Sequence, residues 1–296
     1  MINTDEKWQY LLNKMKHEAA LKIIYVIGSN DSGKTTFCQF LSDNLSRDFS
    51  IAYIDCDPGQ SIIGPPTTIG LEKLFQSEDK QQTKHIYFVG STTPRGHLLQ
   101  SLTGIKKLTE KAVSLGSQRI ILDSCGFVLD QPAREFQFRV IDLIQPNYLI
   151  VLHRSDEDFR WVSNFRRHPK INIYRLSISP SIISRTPAER RQYREQKFEK
   201  YFETAESQEL ILRGIGFHGR IPDLRNPEKY RNRLIALCDA ENFVMTLGIV
   251  QDINLASKKI QIYAPKFDHV KVVFIHFGSI HLNSEGQQIS PYDFLI

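Results

Sequence analysis

Short apolar runs alternate with longer amphipathic segments through the first two thirds of the chain. The apolar runs predict strands at 21–27, 50–55, 84–90, 118–123, 147–152 and 171–175. The segments between them space their apolar residues helically, and predict helices at 33–47, 97–115, 131–144 and 186–204. Short apolar runs separated by helices are typical of a parallel sheet covered by helices on both faces. The predicted fold class is therefore α/β.

The pattern changes near residue 207. Stretches at 242–248, 259–263 and 270–277 are rich in β-forming residues and separated by turn residues, which predicts a small β-rich C-terminal domain. A Pro- and Arg-containing stretch, 217–235, is interpreted as a connector. The predicted organisation is an N-terminal helix within 1–20, an α/β domain at 21–206 and a β-rich domain at 207–296.

Composition narrows the class of protein only modestly. Hydrophobic residues make up 41% and charged residues 24% of the 296 residues, as in ordinary globular proteins. The four cysteines are scattered without a C-x-x-C pair, which argues against a zinc site or a disulfide framework and fits a reducing cytoplasm. No apolar run approaches the length of a membrane span, so a cytoplasmic protein is predicted. The net charge of +5 is compatible with a nucleic-acid partner without requiring one.

The strongest motif is a phosphate-binding loop. Residues 28–35, GSNDSGKT, fit the pattern G-x-x-x-x-G-K-[ST], and they follow a predicted strand and open a predicted helix. Such a loop aims backbone N–H groups and the positive end of a helix at phosphate oxygens. Lys34 is expected to reach the β- and γ-phosphates of ATP, and the Thr35 hydroxyl to bind Mg²⁺. The predicted nucleotide-binding residues are Gly28, Ser29, Asn30, Asp31, Ser32, Gly33, Lys34, Thr35 and Thr36.

Carboxylates end two of the predicted strands. Asp55 and Asp57 lie two residues apart at the end of the strand that follows the loop and its helix, and Asp123 ends another strand. A metal site beside a phosphate-binding loop needs such a carboxylate. A single strand-end Asp also often caps a turn, but two neighbouring carboxylates repel each other unless a cation or a proton lies between them.

Four motifs taken together resemble the polynucleotide 5'-hydroxyl kinase family. They are the phosphate-binding loop, the D-x-D-x-G-Q run from Asp55 to Gln60, the SCGF run at 124–127, and an R-x-x-x-R pair, Arg190 and Arg194, within residues 184–202. In that family the last two motifs are a clasp, T-x-G-W, and a lid. The likeness runs from about 21 to 205 and continues more loosely toward the C-terminus. The clasp here departs from the family at two positions, which leaves substrate preference open.

The resemblance implies transfer of the γ-phosphoryl group of ATP to a 5'-hydroxyl end of RNA or DNA, with RNA favoured. It implies that Asp57 accepts the proton of the attacking hydroxyl, that Asp55 and Thr35 organise Mg²⁺, and that Lys34 acts on the phosphates. Arg190 and Arg194 are implied to contact the transferring phosphoryl group. The residues implied to contact the acceptor are Gln60, Thr93, Arg95 and Phe127.

Simpler roles stay open for several of these residues. Phe127 could pack in the core, Thr93 could cap a helix, and the charged residues around Arg190 could form ion pairs on a solvated helix. Three other functions also stay open. A GTPase-like switch is suggested by D-x-x-G at 123–126, although 153–156 lacks the Asn and Lys of a guanine-reading motif. A non-catalytic nucleotide-binding adaptor and a small-molecule kinase are the others.

Overall fold

A computed structural model describes residues 6–18, 20–74, 83–178 and 184–289. They form two compact units. The first comprises the described parts of Met1–Asp57, Ile69–Lys84 and Leu98–Arg185, and the second those of Pro58–Thr68, His85–His97 and Thr186–Ile296. The predicted lid segment, 184–202, therefore begins in the first unit and has its helix in the second. The domain boundary near 206 stays a prediction.

The first unit is built around a seven-stranded sheet. Its elements are α1 (Glu6–Lys16), β1 (Lys22–Gly28), α2 (Lys34–Leu45), β2 (Ile51–Asp55), β3 (Thr68–Leu74), α3 (Leu98–Ser114), β5 (Arg119–Asp123), α4 (Gln131–Ile144), β6 (Tyr148–His153) and β7 (Asn172–Ser177). The sheet also contains β4 (Thr83–Phe88), of which Thr83 and Lys84 belong to this unit and residues 85–88 to the second. The strand order is β4-β3-β2-β5-β1-β6-β7. The predicted strands and helices are confirmed to within a few residues at their ends. Of the predicted N-terminal helix, residues 1–5 and 19 lie outside the described residues.

The predicted parallel sheet is confirmed for β1, β2, β5, β6 and β7, and β3 is an antiparallel member of the same sheet. This strand pairs antiparallel with β2, from Ile51 opposite Leu74 to Asp55 opposite Gly70. The sequence of β3, TIGLEKL, mixes apolar residues with a glycine and two charged residues, so it lacks the apolar run by which buried parallel strands are recognised. An antiparallel neighbour also needs no crossover helix, so the alternation of strands and helices does not reveal it.

The strands in the middle of this sheet end at the residues that the sequence predicts to be functional. β1 lies between β5 and β6 and runs parallel to both, and β5 also pairs parallel with β2. Every residue of β2 and β5 is buried, as are the last five of β1. Because parallel strands end at the same edge, Gly28, Asp55 and Asp123 all lie at one edge of the sheet.

The second unit is mostly antiparallel β structure, which confirms the predicted β-rich character of the C-terminal part. Its elements are α5 (Pro187–Phe202), β8 (Glu206–Ile211), β9 (Gly216–Gly219), α6 (Pro227–Tyr230), β10 (Arg233–Cys238), β11 (Val244–Asn254), β12 (Lys259–Ala264), β13 (Phe274–Leu282) and β14 (Gln288–Ile289). The strand order is β14-β13-β10-β11-β12-β8, and β9 pairs parallel with β13.

The interpretation of 217–235 as a connector is wrong at both ends. The stretch contains most of β9 and the start of β10, a buried strand that pairs with β11 on one side and β13 on the other. The apolar run of β10 begins inside the stretch, where Pro and Arg dominate the composition. In the described part of the chain, no helix is both long and apolar enough to cross a bilayer.

Candidate active site

The phosphate-binding loop connects β1 to α2, as its motif predicts. Gly33 precedes α2 with a φ of 82°, in the left-handed region that glycine adopts without strain. Gly28 is needed for a different reason, since a Cβ atom there would lie 2.5 Å from the carbonyl oxygen of Leu152 and 2.6 Å from Oγ of Ser32. The first glycine therefore allows close packing against β6, and the second allows the turn.

The start of α2 leaves hydrogen-bond donors directed at the loop. Gly33 supplies no side-chain cap, so first-turn N–H groups are left for another acceptor. The buried Lys34 donates from Nζ to the carbonyl oxygen of Ser29 at 2.7 Å. Oγ of Ser32 is buried without a hydrogen-bond partner among the described residues, and Thr36 is exposed on the first turn. Such a loop suits an anion that brings its own acceptors.

Asp123, at the end of β5, is held on one side only. Its Oδ2 accepts hydrogen bonds from the Thr35 hydroxyl at 2.6 Å and the Tyr53 hydroxyl at 2.9 Å. Its Oδ1 is buried without a partner among the described residues. Burial raises the pKa of the Asp123 carboxyl, and nearby Lys34 and the two hydroxyl donors act against that rise.

The two carboxylates of the D-x-D run lie at the end of β2. Asp55 is buried and in register with Asp123 on the neighbouring strand, where Cα atoms of paired residues are about 5 Å apart. Oδ1 of Asp55 accepts the backbone N–H of Asp57 at 3.0 Å, so one carboxylate fixes the backbone of the other. Asp57 itself is half-buried. The pKa of the Cys125 thiol is raised to about 12, first by the burial of that thiol and second by the negative charge of Asp57.

These groups fit a magnesium ion. Mg²⁺ prefers oxygen ligands and is commonly held by one or two carboxylates with a P-loop hydroxyl and phosphate oxygens. Thr35, Asp55 and Asp123 offer only oxygen donors, and the partnerless Oδ1 of Asp123 is a buried acceptor that a cation would satisfy. The sequence identified Thr35 and Asp55 directly and left Asp123 as a second candidate.

The residues of the predicted clasp pack beside the loop. A Cβ atom on Gly126 would overlap the side-chain amide of Asn30 and lie 2.7 Å from its backbone nitrogen, so only glycine allows this approach. Phe127 is half-buried, with its ring centroid 6.3 Å from that of Phe136 and its carbonyl accepting from Gln137 at 3.0 Å. Part of the Phe127 side chain packs and part is accessible, so the structure is compatible with both core packing and contact with an acceptor.

One residue at this site escaped the sequence reasoning. Arg154, directly after β6, donates from Nη1 to Oγ of Ser29 at 2.8 Å and from Nη2 to the carbonyl oxygen of Asp31 at 3.1 Å. In the sequence, the segment 153–156 stands out only because it falls where a guanine-reading motif would lie. The sequence shows an Arg at the end of a predicted strand. Only the fold shows that this strand, β6, lies next to β1.

The second unit carries the other predicted acceptor residues. Gln60 donates to the carbonyl oxygen of Gly59 at 3.0 Å. Thr93 and Arg95 are exposed, and the Thr93 hydroxyl accepts the backbone N–H of Arg95 at 3.3 Å, as a turn-forming residue does. Their contact with an acceptor stays a prediction.

Helix α5, which lies within the predicted lid segment, begins with a capping box between Thr186 and Glu189. Arg190 and Arg194 are half-buried on one stripe of this helix, whereas Arg191 is exposed and pairs with Glu195 at 2.8 Å. Side chains of this helix also contact backbone carbonyl groups in the segment that follows Asp57. The Tyr193 hydroxyl donates to the carbonyl oxygen of Ser61 at 3.0 Å, and Nζ of Lys197 lies 3.5 Å from that of Ile62.

The sequence of the segment that forms this site matches a known protein family. Residues 28–204, more than half of the chain, match the family model described as mRNA cleavage and polyadenylation factor CLP1 P-loop. A polyribonucleotide 5'-hydroxyl-kinase of Pyrococcus abyssi is 28% identical, over 99% of this chain and 97% of its own length. A polyribonucleotide 5'-hydroxyl-kinase of Methanocaldococcus jannaschii is 27% identical, over 92% of this chain and 90% of its own.

A solved structure shares the fold. A chain from the Clp1p–Pcf11p (454–563) complex superposes with a TM-score of 0.71, over 93% of this chain and 78% of that chain, at 15% identity. At that identity the likeness concerns the fold alone. The family model, by contrast, rests on the sequence of the segment that holds the phosphate-binding loop, the paired carboxylates, the clasp and the lid arginines. The chain therefore belongs to the CLP1 P-loop family.

Proposed function

We propose that this protein transfers the γ-phosphoryl group of ATP to the 5'-hydroxyl end of RNA. The observation that carries the proposal is the grouping of Asp55, Asp57 and Asp123 at the strand ends beside a complete phosphate-binding loop. Relatives that align over nearly the whole chain are named as polyribonucleotide 5'-hydroxyl-kinases, which supports RNA as the acceptor.

Each residue of the loop has a defined role in this proposal. The loop N–H groups and Lys34 hold the phosphates, and Lys34 leaves its contact with Ser29 to do so. Phosphoryl transfer requires alignment and charge neutralisation more than covalent help, so these contacts supply most of what the reaction needs. Asp57 accepts the proton of the 5'-hydroxyl as that oxygen attacks phosphorus.

The metal and the acceptor are assigned to separate groups. Thr35, Asp55 and Asp123 would hold Mg²⁺, which when bound neutralises charge on the phosphates. Phe127 is proposed to stack on the terminal base, as sequence-tolerant single-strand binders do with an aromatic ring. Gln60, Thr93 and Arg95 are proposed as backbone contacts, and Arg190 and Arg194 as contacts to the transferring phosphoryl group.

The proposal also covers where the protein works. All four cysteines lie in the described residues and are buried, and Cys38, Cys56 and Cys125 are free thiols. Free thiols without disulfide partners suit a reducing compartment, and we therefore propose a cytoplasmic location.

The deciding experiment measures 5'-end labelling. The protein is incubated with Mg²⁺, γ-labelled ATP and 5'-hydroxyl RNA or DNA oligonucleotides, alongside Lys34→Ala and Asp57→Asn. Asp142→Asn, an exposed Asp on α4, serves as the matched control. Label is expected on RNA with the wild type and the control, at a rate at least about a hundredfold above either site variant. Folded, ATP-binding protein that labels no oligonucleotide contradicts the proposal, and selectivity for guanine nucleotides would favour a GTPase-like switch.

A further inference from the structure

Arg154 is fixed over the phosphate-binding loop by a buried carboxylate. Glu157 accepts the backbone N–H of Arg154 at 2.8 Å through Oε2, and its Oε1 lies 3.4 Å from Nη1 of the same residue. The Glu157 side chain is 9% exposed and the Arg154 side chain 31%, so the carboxylate of this pair is largely shielded from water and the guanidinium only partly. Arg presents several donors in a rigid planar fork, which allows one side chain to reach Ser29 and Asp31 at once.

The contact with Asp31 sets the direction of a loop amide. In a planar trans peptide the C=O of one residue and the N–H of the next point in opposite directions. Because the carbonyl of Asp31 points at Arg154, the N–H of Ser32 points away from it. Asp31 has a φ of 53°, in the left-handed region that costs energy for a residue other than glycine. An external contact that holds this peptide therefore compensates for an unfavourable backbone conformation.

The side chain of Asp31 holds a second segment. Its Oδ2 accepts the backbone N–H of Arg185 at 3.0 Å, and Nη2 of Arg154 lies 3.4 Å from Oγ of Ser184. These two residues immediately precede Thr186, the N-cap of α5. The loop that is predicted to bind phosphate is thus hydrogen-bonded to the chain that leads into the helix carrying Arg190.

We propose that Arg154 is a positioning residue that orients the Asp31–Ser32 peptide for phosphate binding, and that the Asp31 carboxylate anchors the start of the lid segment to the same loop. The proposal rests on the proposed function, because it assigns roles within that site. Arg154 acts on nucleotide affinity, since it shapes the loop before ATP arrives. Asp31 acts on turnover, since it fixes where the lid segment begins.

The first experiment measures nucleotide affinity without catalysis. The dissociation constant of a fluorescent ATP analogue with Mg²⁺ is measured for wild type, Arg154→Ala and Arg154→Lys. The matched control is Arg175→Ala, because Arg175 also donates to one backbone carbonyl (Phe159, 3.1 Å) and one Ser hydroxyl (Ser163, 3.3 Å), outside the loop. Losing two charge-assisted hydrogen bonds should raise the dissociation constant about tenfold or more in Arg154→Ala.

The outcomes of this series are distinct. Arg154→Lys should fall between wild type and Arg154→Ala, because a compact ammonium does not reproduce the planar fork. Arg175→Ala should stay within about twofold of wild type. An unchanged affinity in Arg154→Ala overturns the role of Arg154, and so does an equal loss in Arg175→Ala, which would show a general effect on the fold. The assay needs no oligonucleotide, so it decides this point even if the kinase proposal fails.

The second experiment separates the carboxylate of Asp31 from its backbone conformation. Asp31→Gly and Asp31→Asn both tolerate a φ near 53°, but only Asn keeps a side-chain oxygen to accept the Arg185 N–H. Hydrogen–deuterium exchange of the peptide covering Arg185 should become faster in Asp31→Gly and stay near wild type in Asp31→Asn. In the labelling assay, kcat should fall about tenfold in Asp31→Gly and less in Asp31→Asn. Equal exchange in the two variants overturns the anchor, whatever the labelling assay shows.

Discussion

The Thr35 hydroxyl donates to Oδ2 of Asp123 at 2.6 Å and so joins the phosphate-binding loop to the end of β5. The same oxygen accepts the Tyr53 hydroxyl, which leaves Oδ1 of Asp123 as the buried acceptor at this strand end without a partner among the described residues. A carboxylate held in this way has one oxygen fixed and the other available. The arrangement therefore presents an oxygen ligand in a set direction.

Removing the Thr35 hydroxyl should weaken binding of Mg²⁺ with ATP. Thr35→Val keeps the shape of the side chain but loses the donor to Asp123, and misplacing such a ligand typically costs about 10- to 100-fold in metal affinity or activity. Thr35→Ser keeps the hydroxyl and should retain most of the affinity. The measurement is a titration of Mg²⁺ against nucleotide binding. Thr109→Val removes a buried hydroxyl that donates to the carbonyl of Ile105 on α3, and a loss of equal size there would contradict the prediction.

Enlarging Gly126 should disturb the loop through Asn30. Gly126→Ala places a methyl group where the Asn30 amide lies, and the backbone nitrogen of Asn30 would be 2.7 Å away. Such an overlap must shift the loop or the clasp, so we expect nucleotide affinity to fall about tenfold or more, at a stability cost of about 1–3 kcal/mol. Both are measured by nucleotide titration and by denaturant unfolding.

The control for this change is Gly248→Ala. A Cβ at that position on β11 would meet its neighbours at 3.5 Å or more, which is ordinary contact. The same residue change without an overlap should leave nucleotide affinity unchanged. If Gly126→Ala binds nucleotide as tightly as wild type, the clasp does not determine the position of Asn30.

The local features of the site were predictable from the sequence, and the long-range ones were not. The phosphate-binding loop is a continuous motif whose backbone geometry requires glycine at fixed positions, so GSNDSGKT alone identified it. Asp55 and Asp57 were identified for the same reason, because they follow one strand directly. Arg154 makes contacts with residues more than 120 positions away in the chain, and no spacing rule connects them.

The fold shows the same division. Strands such as β1 and β5 are buried on both faces and appear in the sequence as continuous apolar runs. β3 and β10 were missed for different reasons. The first, TIGLEKL, has neither a continuous apolar run nor a regular alternation. The second begins within a stretch rich in Arg and Pro, so composition concealed a strand that the tertiary structure buries.

Removing Arg190 or Arg194 of α5 should lower kcat far more than removing the neighbouring Arg191. Arg190→Ala and Arg194→Ala are each expected to lower kcat for 5'-phosphorylation by about a hundredfold or more, since an arginine that stabilises transition-state charge contributes on that scale. Arg191→Ala removes the same side chain from the adjacent face, where it pairs with Glu195 in solvent, and should change kcat less than about twofold. If both half-buried arginines can be removed without loss while Lys34→Ala abolishes turnover, the lid prediction is wrong.

A buried histidine should make the protein less stable in mild acid. His281 on β13 is 3% exposed and in register with Arg233, and its Nε2 has no hydrogen-bond partner among the described residues. Burial lowers the pKa of His281 in the folded protein, and the charge of Arg233 lowers it further. The unfolded chain then takes up a proton near pH 6.5 that the folded chain does not. The contribution of neutral His281 to the free energy of unfolding is therefore fully present above pH 6.5. It is lost progressively as the pH falls from 6.5 toward the lower pKa of His281 in the folded protein.

The test compares unfolding free energies of wild type and His281→Gln at pH 7.5, 6.5 and 5.5. One titrating group changes the unfolding free energy by at most about 1.4 kcal/mol per pH unit, so wild type should lose up to that much relative to the variant between pH 6.5 and pH 5.5. His17→Gln, at an exposed position on the N-terminal segment, should parallel wild type. Because other groups titrate equally in both proteins, the difference between the curves isolates His281. Parallel curves for wild type and His281→Gln would show that this imidazole is not the acid-sensitive group.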